Sequence, residues 1–120
     1  MSLSVAEYRA EHRELERALD NLLHEVSGAA PPFATFCEAR ALAGAHYARE
    51  APLLETCGIH LAVKIAAQHE EALELAQRAA ECWSEGHTRD AVNLMRRFQA
   101  LAQHNIIEEE RDLFPLVELL

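Results

Sequence analysis

Residues 4–26 read SVAEYRAEHRELERALDNLLHEV, and this stretch decides the fold class. Positions three and four residues apart share one face of an amphipathic helix and form a continuous seam along it. The seam positions are Val5, Tyr8, His12, Leu15, Leu19, Leu22 and Val26. Ser4 and Glu7 have the spacing of a capping box, which marks a helix start. The stretch therefore predicts a long helix that packs one face against a core.

The same spacing returns in three later segments, so the chain predicts four helices. They are separated by a Gly- and Pro-containing turn at 27–32, by Gly58 and by a turn at 84–88, and Thr35 with Glu38 forms a second capping box. The predicted bounds are about 4–27, 35–57, 61–85 and 89–113. Short connections between helices of similar length predict an all-α, antiparallel up-down-up-down four-helix bundle that forms a single domain over residues 1–120.

Composition excludes several classes of function. The net charge of −9 over 120 residues disfavours nucleic acid and anionic membranes as partners, because phosphate binding needs clustered Lys and Arg. No apolar run reaches the roughly 20 residues that span a bilayer, and the N-terminus lacks the features of a secretory signal. The three cysteines form no CxxC pair, which predicts a reducing compartment, the cytoplasm.

The seven histidines carry the chemical signal, because several lie on helix seams where apolar residues are expected. Two His-x-x-x-Glu pairs place both side chains on one helix face, and counting from the turns brings six residues into one layer of the bundle. These six candidate metal ligands are His12, His46, Glu50, His69, His104 and Glu108. In the acidic run, Glu108 is favoured as the ligand, while Glu109 and Glu110 are assigned to a solvated face.

Burial of six unpaired polar side chains is too costly without a compensating interaction. At about 1–3 kcal/mol each, they would cost roughly 6–18 kcal/mol, as much as the whole stability of a domain. Hydrogen bonds between His and Glu could satisfy one or two pairs, but a metal accounts for all six. Imidazole and carboxylate suit Fe, Zn or Mn, and two ions bridged by both carboxylates use the set well while leaving positions open for a small ligand.

The order His12, then His46-Tyr-Ala-Arg-Glu50, His69, and His104-Asn-Ile-Ile-Glu108 followed by Leu-Phe-Pro at 113–115, resembles the hemerythrin-like (HHE cation-binding) domain family. The resemblance covers essentially the whole chain. It implies two non-haem irons, oxo- or hydroxo-bridged, held by the six residues. It also implies binding or sensing of O₂ or NO, or the handling of iron.

Two residues depart from the oxygen-carrying members of that family. Leu73 stands where those members have a further histidine, one turn after His69, which opens a coordination position and favours sensing, redox reaction or iron handling over O₂ transport. Pro52 follows Glu50 by two residues and predicts a kink in the second helix near the site.

Three functions compete at the level of sequence. The favoured one is a cytoplasmic di-iron protein that binds or senses O₂ or NO without turning over an organic substrate. The second is a redox enzyme with peroxidase-like activity, and the third is a metal-free helical interaction module. A separate protein partner or a homodimer stays open under each of them.

Overall fold

The computed structural model describes residues 4–28 and 32–119, and in these parts the chain is helical throughout, with no strand. Four long helices are followed by a π-helix and a short α-helix. They are α1 (Val5–Val26), α2 (Phe33–Leu54), α3 (Ile59–Ser84), α4 (Thr88–Glu108), the π-helix (Glu109–Leu113) and α5 (Phe114–Glu118). Each long helix packs on its neighbour in the chain and α1 also packs on α4, so the predicted four-helix bundle is confirmed.

The predicted start of α1 is confirmed by its capping box. The Glu7 N–H donates to Ser4 Oγ and the Ser4 N–H donates to Glu7 Oε1, both at 3.2 Å. The second predicted capping box is wrong, because α2 begins at Phe33 and Thr35 already lies inside it. Packing explains the earlier start: the Phe33 ring stacks on Trp83 with ring centroids 5.1 Å apart. Residues 29–31 of the predicted turn lie outside the described residues.

These two capping boxes give a paired test of stability. We expect Ser4→Ala to lower the free energy of unfolding by about 1 kcal/mol, because it removes an N-cap bond. Thr35→Ala, the matched control, should leave stability unchanged within about 0.5 kcal/mol, since Thr35 caps nothing. Urea unfolding followed by circular dichroism measures both, and equal losses in the two variants would contradict the assignment of the caps.

The second helix ends three residues earlier than predicted, at Leu54 rather than at 57. Pro52 lies in its last turn and lacks the N–H that would continue the helical bonding. The helix ends there in a tighter turn, in which the Glu55 N–H donates to the Pro52 carbonyl three residues earlier, at 3.3 Å. Gly58 then takes a left-handed φ of 88° before α3 begins. Pro52 therefore acts at the helix end, two residues after Glu50.

The last predicted segment, 89–113, is only partly α-helical. The α-helix stops at Glu108, and Glu109–Leu113 form a π-helix, which accommodates an extra residue per turn. At the end of the π-helix, the neighbouring side chains of Leu113 and Phe114 both face the interior with no exposed surface. Pro115 follows in the first turn of α5, where its missing N–H is tolerated.

Two apolar clusters fill the bundle. The larger, defined here as the main core, contains Leu15, Leu19, Phe36, Ala76, Phe98 and their neighbours. The smaller, defined as the end core, consists of Tyr8, Leu53, Cys57, Ile65, Leu113 and Phe114. No helix in the described parts of the chain combines the length and the apolarity needed to cross a membrane.

Candidate metal centre

A layer of polar residues separates the main core from the end core. On α1, His12 lies between Tyr8 of the end core and Leu15 of the main core. On α3, His69 lies in the same way between Ile65 and Ala72. Each helix thus interrupts its apolar seam at one level, which is the arrangement that the sequence predicts for the first three helices.

Four side chains meet at one point in this layer: His12, His46, Glu50 and Glu109. Each offers one ligand atom, these atoms lie within 4.8 Å of one another, and all four residues are buried. His69 joins them through both carboxylates, as described below. We refer to these five residues as the His/Glu cluster. Buried groups of this kind are expected to be paired or to coordinate a metal.

One side of the His/Glu cluster carries two imidazoles. His12 Nε2 lies 2.9 Å from Glu109 Oε1 and 3.7 Å from Glu50 Oε2. His46 Nε2 lies 2.7 Å from Glu50 Oε2 and 3.7 Å from Glu109 Oε1. These two nitrogens and two oxygens therefore surround a common point, which we call the two-histidine side.

The opposite side carries one imidazole. His69 Nε2 lies 2.6 Å from Glu109 Oε2 and 3.5 Å from Glu50 Oε1. Each carboxylate thus presents one oxygen to the two-histidine side and the other to His69. Carboxylates that face two sites in this way can bridge a pair of ions. We call this second side the one-histidine side.

Hydrogen bonding within the described chain leaves some of the buried atoms without partners. His12 Nδ1, His46 Nε2 and both oxygens of Glu50 are buried and lack a hydrogen bond of acceptable geometry there, although some of them lie close together. An unsatisfied buried polar atom costs about 1–3 kcal/mol. A cation in the cluster would satisfy His46 Nε2 and the two Glu50 oxygens together, so these donors fit a metal better than they fit mutual pairing; His12 Nδ1 lies on the other edge of its ring, 3.8 Å from Glu110 Oε1.

The charges in the cluster are strongly coupled. Burial alone lowers the pKa of His46, but the nearby carboxylates of Glu109 and Glu50 and the hydrogen bond to Glu11 outweigh it and raise that pKa to about 10. The pKa of His12 is also raised, because the carboxylates of Glu109 and Glu50 overcome the effect of burial. Burial raises the pKa of Glu109, but the nearby imidazoles of His12, His46 and His69 bring it well below its usual range. Without a metal, protonated imidazoles therefore balance the buried carboxylates.

Residues around the cluster fix the orientation of its imidazoles. His46 Nδ1 lies 2.7 Å from Glu11 Oε1, and Glu11 also accepts a bond from Arg49 Nε. This contact leaves Nε2 of His46 directed into the cluster, as the outer hydrogen bond of a metal-binding histidine commonly does. The Phe114 ring stacks on His12 with centroids 4.9 Å apart, which ties the imidazole to the segment after the π-helix.

Four of the six residues predicted from the sequence lie in the cluster: His12, His46, Glu50 and His69. The structure does not bring His104 and Glu108 into it. The His104 side chain is 58% exposed, and its Nε2 lies 2.9 Å from Glu108 Oε1. The prediction that all six face the interior is therefore wrong for His104, whereas Glu108 is buried but lies outside the cluster.

The contacts of Glu108 direct it away from the cluster. Glu108 Oε2 accepts a bond from Gln68 Nε2 at 2.6 Å and lies 3.2 Å from Lys64 Nζ. Hydrogen bonds from Gln68 and the nearby Lys64 charge lower the pKa of the Glu108 carboxyl despite its partial burial. Glu108 therefore belongs to a peripheral polar network on α3 and α4.

Glu109 is the functional residue that sequence reasoning missed. The predicted inner face of α4 used Leu94, Phe98, Leu101, His104 and Glu108, of which Leu94, Phe98 and Glu108 are buried, whereas the row of buried residues that leads to the cluster is Ala91, Met95, Phe98, Ala102, Asn105 and Glu109. The two alternatives share only Phe98. The signal that could have found the correct one is the run of small and apolar residues at 91, 95, 98 and 102, continued by steps of three and four to 109.

The Leu73 and Pro52 positions affect the site differently from one another. Leu73 follows His69 by one turn, is 37% exposed, and supplies no donor atom for a metal. Pro52 follows Glu50 but leaves the Glu50 side chain fully buried between His12, His46 and His69. The open coordination position near His69 therefore stays a prediction, and Glu50 lies in the cluster despite the following Pro52.

Comparisons with protein-family models, with curated proteins and with solved structures find no match to this chain. The chemistry of the site is therefore argued from its own geometry. A buried set of three imidazoles and two carboxylates in a four-helix bundle could hold a metal.

Proposed function

We propose that this chain is a metal-binding protein of the hemerythrin-like type, whose His/Glu cluster holds two non-haem irons and binds or senses a small ligand such as O₂ or NO. The observation that carries the proposal is the arrangement of the two carboxylates. Glu50 and Glu109 each turn one oxygen toward the two-histidine side and one toward the one-histidine side. A single ion would leave one side of this arrangement unused.

The donor types support iron among the available metals. Three nitrogens and four carboxylate oxygens form a mixed, borderline set that suits iron, with zinc and manganese as alternatives. When bound, iron supplies redox-active positions that a small ligand can occupy. The chain contributes His12 and His46 on one side, His69 on the other, and Glu50 with Glu109 between them.

The asymmetry of the cluster supports ligand binding over a purely structural metal site. Closed structural sites fill every coordination position with side chains, whereas functional sites leave positions open. The one-histidine side has a single imidazole and is followed on α3 by the non-coordinating Leu73. We place the small ligand on this side. Binding or sensing needs no further catalytic group, so we do not propose turnover of an organic substrate.

Metal analysis of protein purified without chelator and without a nickel column tests the proposal. We expect about two irons per chain in the wild type and about one in His69→Ala, because only the one-histidine side loses its imidazole. His24→Ala is a matched control, since His24 is an exposed histidine on α1 outside the cluster. Wild-type protein that takes up no iron, zinc or manganese under reducing conditions would refute the proposed function.

A further inference from the structure

Tyr47 is a buried tyrosine whose hydroxyl the fold does not use. The side chain is 5% exposed, and its Oη finds no hydrogen-bond partner in residues 4–28 and 32–119. Its ring stacks on the imidazole of His69, with centroids 3.8 Å apart and planes within 9°. Tyr47 therefore places an unpaired polar group directly beside the one-histidine side of the cluster.

Packing alone does not explain a tyrosine at this position. A phenylalanine ring would stack on His69 equally well, without the cost of a buried hydroxyl that donates to nothing. Tyr8 shows the usual solution in the same bundle, because its Oη donates to the Arg49 carbonyl at 2.8 Å. The hydroxyl of Tyr47 is thus a donor that needs an acceptor from outside the described chain.

The acceptor is expected on the one-histidine side. The ring of Tyr47 lies flat against the imidazole of His69, so its buried, unpaired hydroxyl lies close to the one-histidine side. The carboxylates of Glu50 and Glu109 already face histidine nitrogens. A small molecule at the open position beside His69 would bring a terminal atom with lone pairs into this dry region, where a hydrogen bond is stronger than in water.

We propose that the Tyr47 hydroxyl donates a hydrogen bond to the small exogenous ligand held at the one-histidine side, and that it thereby raises the affinity for ligands with a terminal acceptor atom, such as NO, O₂ or azide. This inference rests on the proposed function and deepens it. It assigns to Tyr47 a part in recognising the small ligand, separate from the five residues that hold the metal.

The test compares iron-loaded wild type, Tyr47→Phe and Tyr8→Phe, with azide and NO as probes. We expect Tyr47→Phe to keep the wild-type iron content and to raise the dissociation constant of both probes about tenfold, because one hydrogen bond to the ligand is lost. Tyr8→Phe is the matched control. It removes a hydroxyl that bonds to the backbone, so the dissociation constants should match those of the wild type.

Thermal unfolding of the ion-free proteins gives a second readout that does not depend on iron. The melting temperature of Tyr47→Phe should equal or exceed that of the wild type, whereas Tyr8→Phe should melt at a lower temperature. Unchanged probe affinity in an iron-loaded Tyr47→Phe protein would overturn the inference while leaving the metal centre intact. A lower ion-free melting temperature for Tyr47→Phe would also overturn it, by showing that the hydroxyl has a structural partner. Wild-type protein that takes up no iron, zinc or manganese under reducing conditions would overturn both proposals.

Discussion

Glu109→Gln is expected to abolish tight metal binding, lowering the affinity for the first ion by about 100-fold or more. The substitution keeps the size of the side chain but replaces a bridging carboxylate oxygen with an amide nitrogen that does not coordinate. It removes the anion that faces His12 at 2.9 Å and His69 at 2.6 Å. Titration of the ion-free protein with Fe(II) or Zn(II) under anaerobic conditions, followed by calorimetry, measures the loss.

The neighbouring residue supplies the matched control. Glu108→Gln removes the same charge from the adjacent position but affects only the peripheral network with Gln68 and Lys64. We expect its metal affinity to stay within about twofold of the wild type, because partly exposed ion pairs contribute little. If Glu108→Gln lost metal and Glu109→Gln kept it, the assignment of the inner face of α4 would be wrong.

The second large effect that we expect is the pH dependence of the free energy of unfolding of the ion-free protein. The pKa of His46 rises from 6.5 to about 10 on folding, so the folded state binds more protons than the unfolded state between these values. The stabilisation that the protonated His46 adds to the folded state is complete below pH 6.5 and is lost as the pH rises toward 10. It corresponds to a loss on the order of 5 kcal/mol from His46. The raised pKa of His12 acts in the same direction.

The affinity for metal is expected to rise over the same pH range in which the stability of the ion-free protein falls. Imidazoles coordinate only when deprotonated, so a cation must displace the protons that His12 and His46 carry, and its affinity rises with pH. Urea unfolding at pH 6, 8 and 9.5 in the presence of a chelator measures the ion-free stability, while Zn(II) titration at the same pH values measures affinity. His46→Ala should flatten the stability profile. Ion-free stability that increases between pH 7 and 9 would contradict the proton balance that we describe.

The sequence predicts the first three helices of the site well because each has one clear buried face. On α1, the seam from Tyr8 to Val26 contains a single polar residue, His12, and all its positions from Tyr8 onward are buried. On α3, alanines at 72, 76 and 79 define the inner face and place His69 on it. In such helices, one polar residue within an apolar seam is enough to locate a site residue.

The sequence does not predict the site residue of the fourth helix segment, because the apolar residues of that helix do not lie on one face alone. Leu94 and Leu101 supported a seam that contained His104, although Leu101 is only partly buried and His104 is exposed. Two residues of the row that leads to the cluster, Ala91 and Ala102, are small, so they add little to a hydrophobic pattern. Tertiary packing against α1 and α3 decides which of two similarly apolar faces points inward. The periodicity of one helix alone does not reveal that packing.

The π-helix could not be predicted from periodicity at all. A pattern that assumes 3.6 residues per turn does not allow for the extra residue of the π-helix at Glu109–Leu113, so it loses register for the residues that follow. The Pro115 position is the only local indication of a break in regular bonding. Phe114 packs on His12 and Tyr8 as a result of this local geometry, so the end core forms from residues that are distant in the sequence.

The position of Glu109 directly after the last long helix has a consequence for the order of events during protein synthesis. A ribosome delivers His12, His46, Glu50 and His69 before it delivers Glu109, because translation proceeds from the N-terminus. A nascent chain that ends before this residue has every imidazole of the proposed centre but only one of its two carboxylates. Capture of a pair of cations at the proposed centre would therefore follow the docking of the last helical segments, so maturation of that centre would be a late step of biosynthesis.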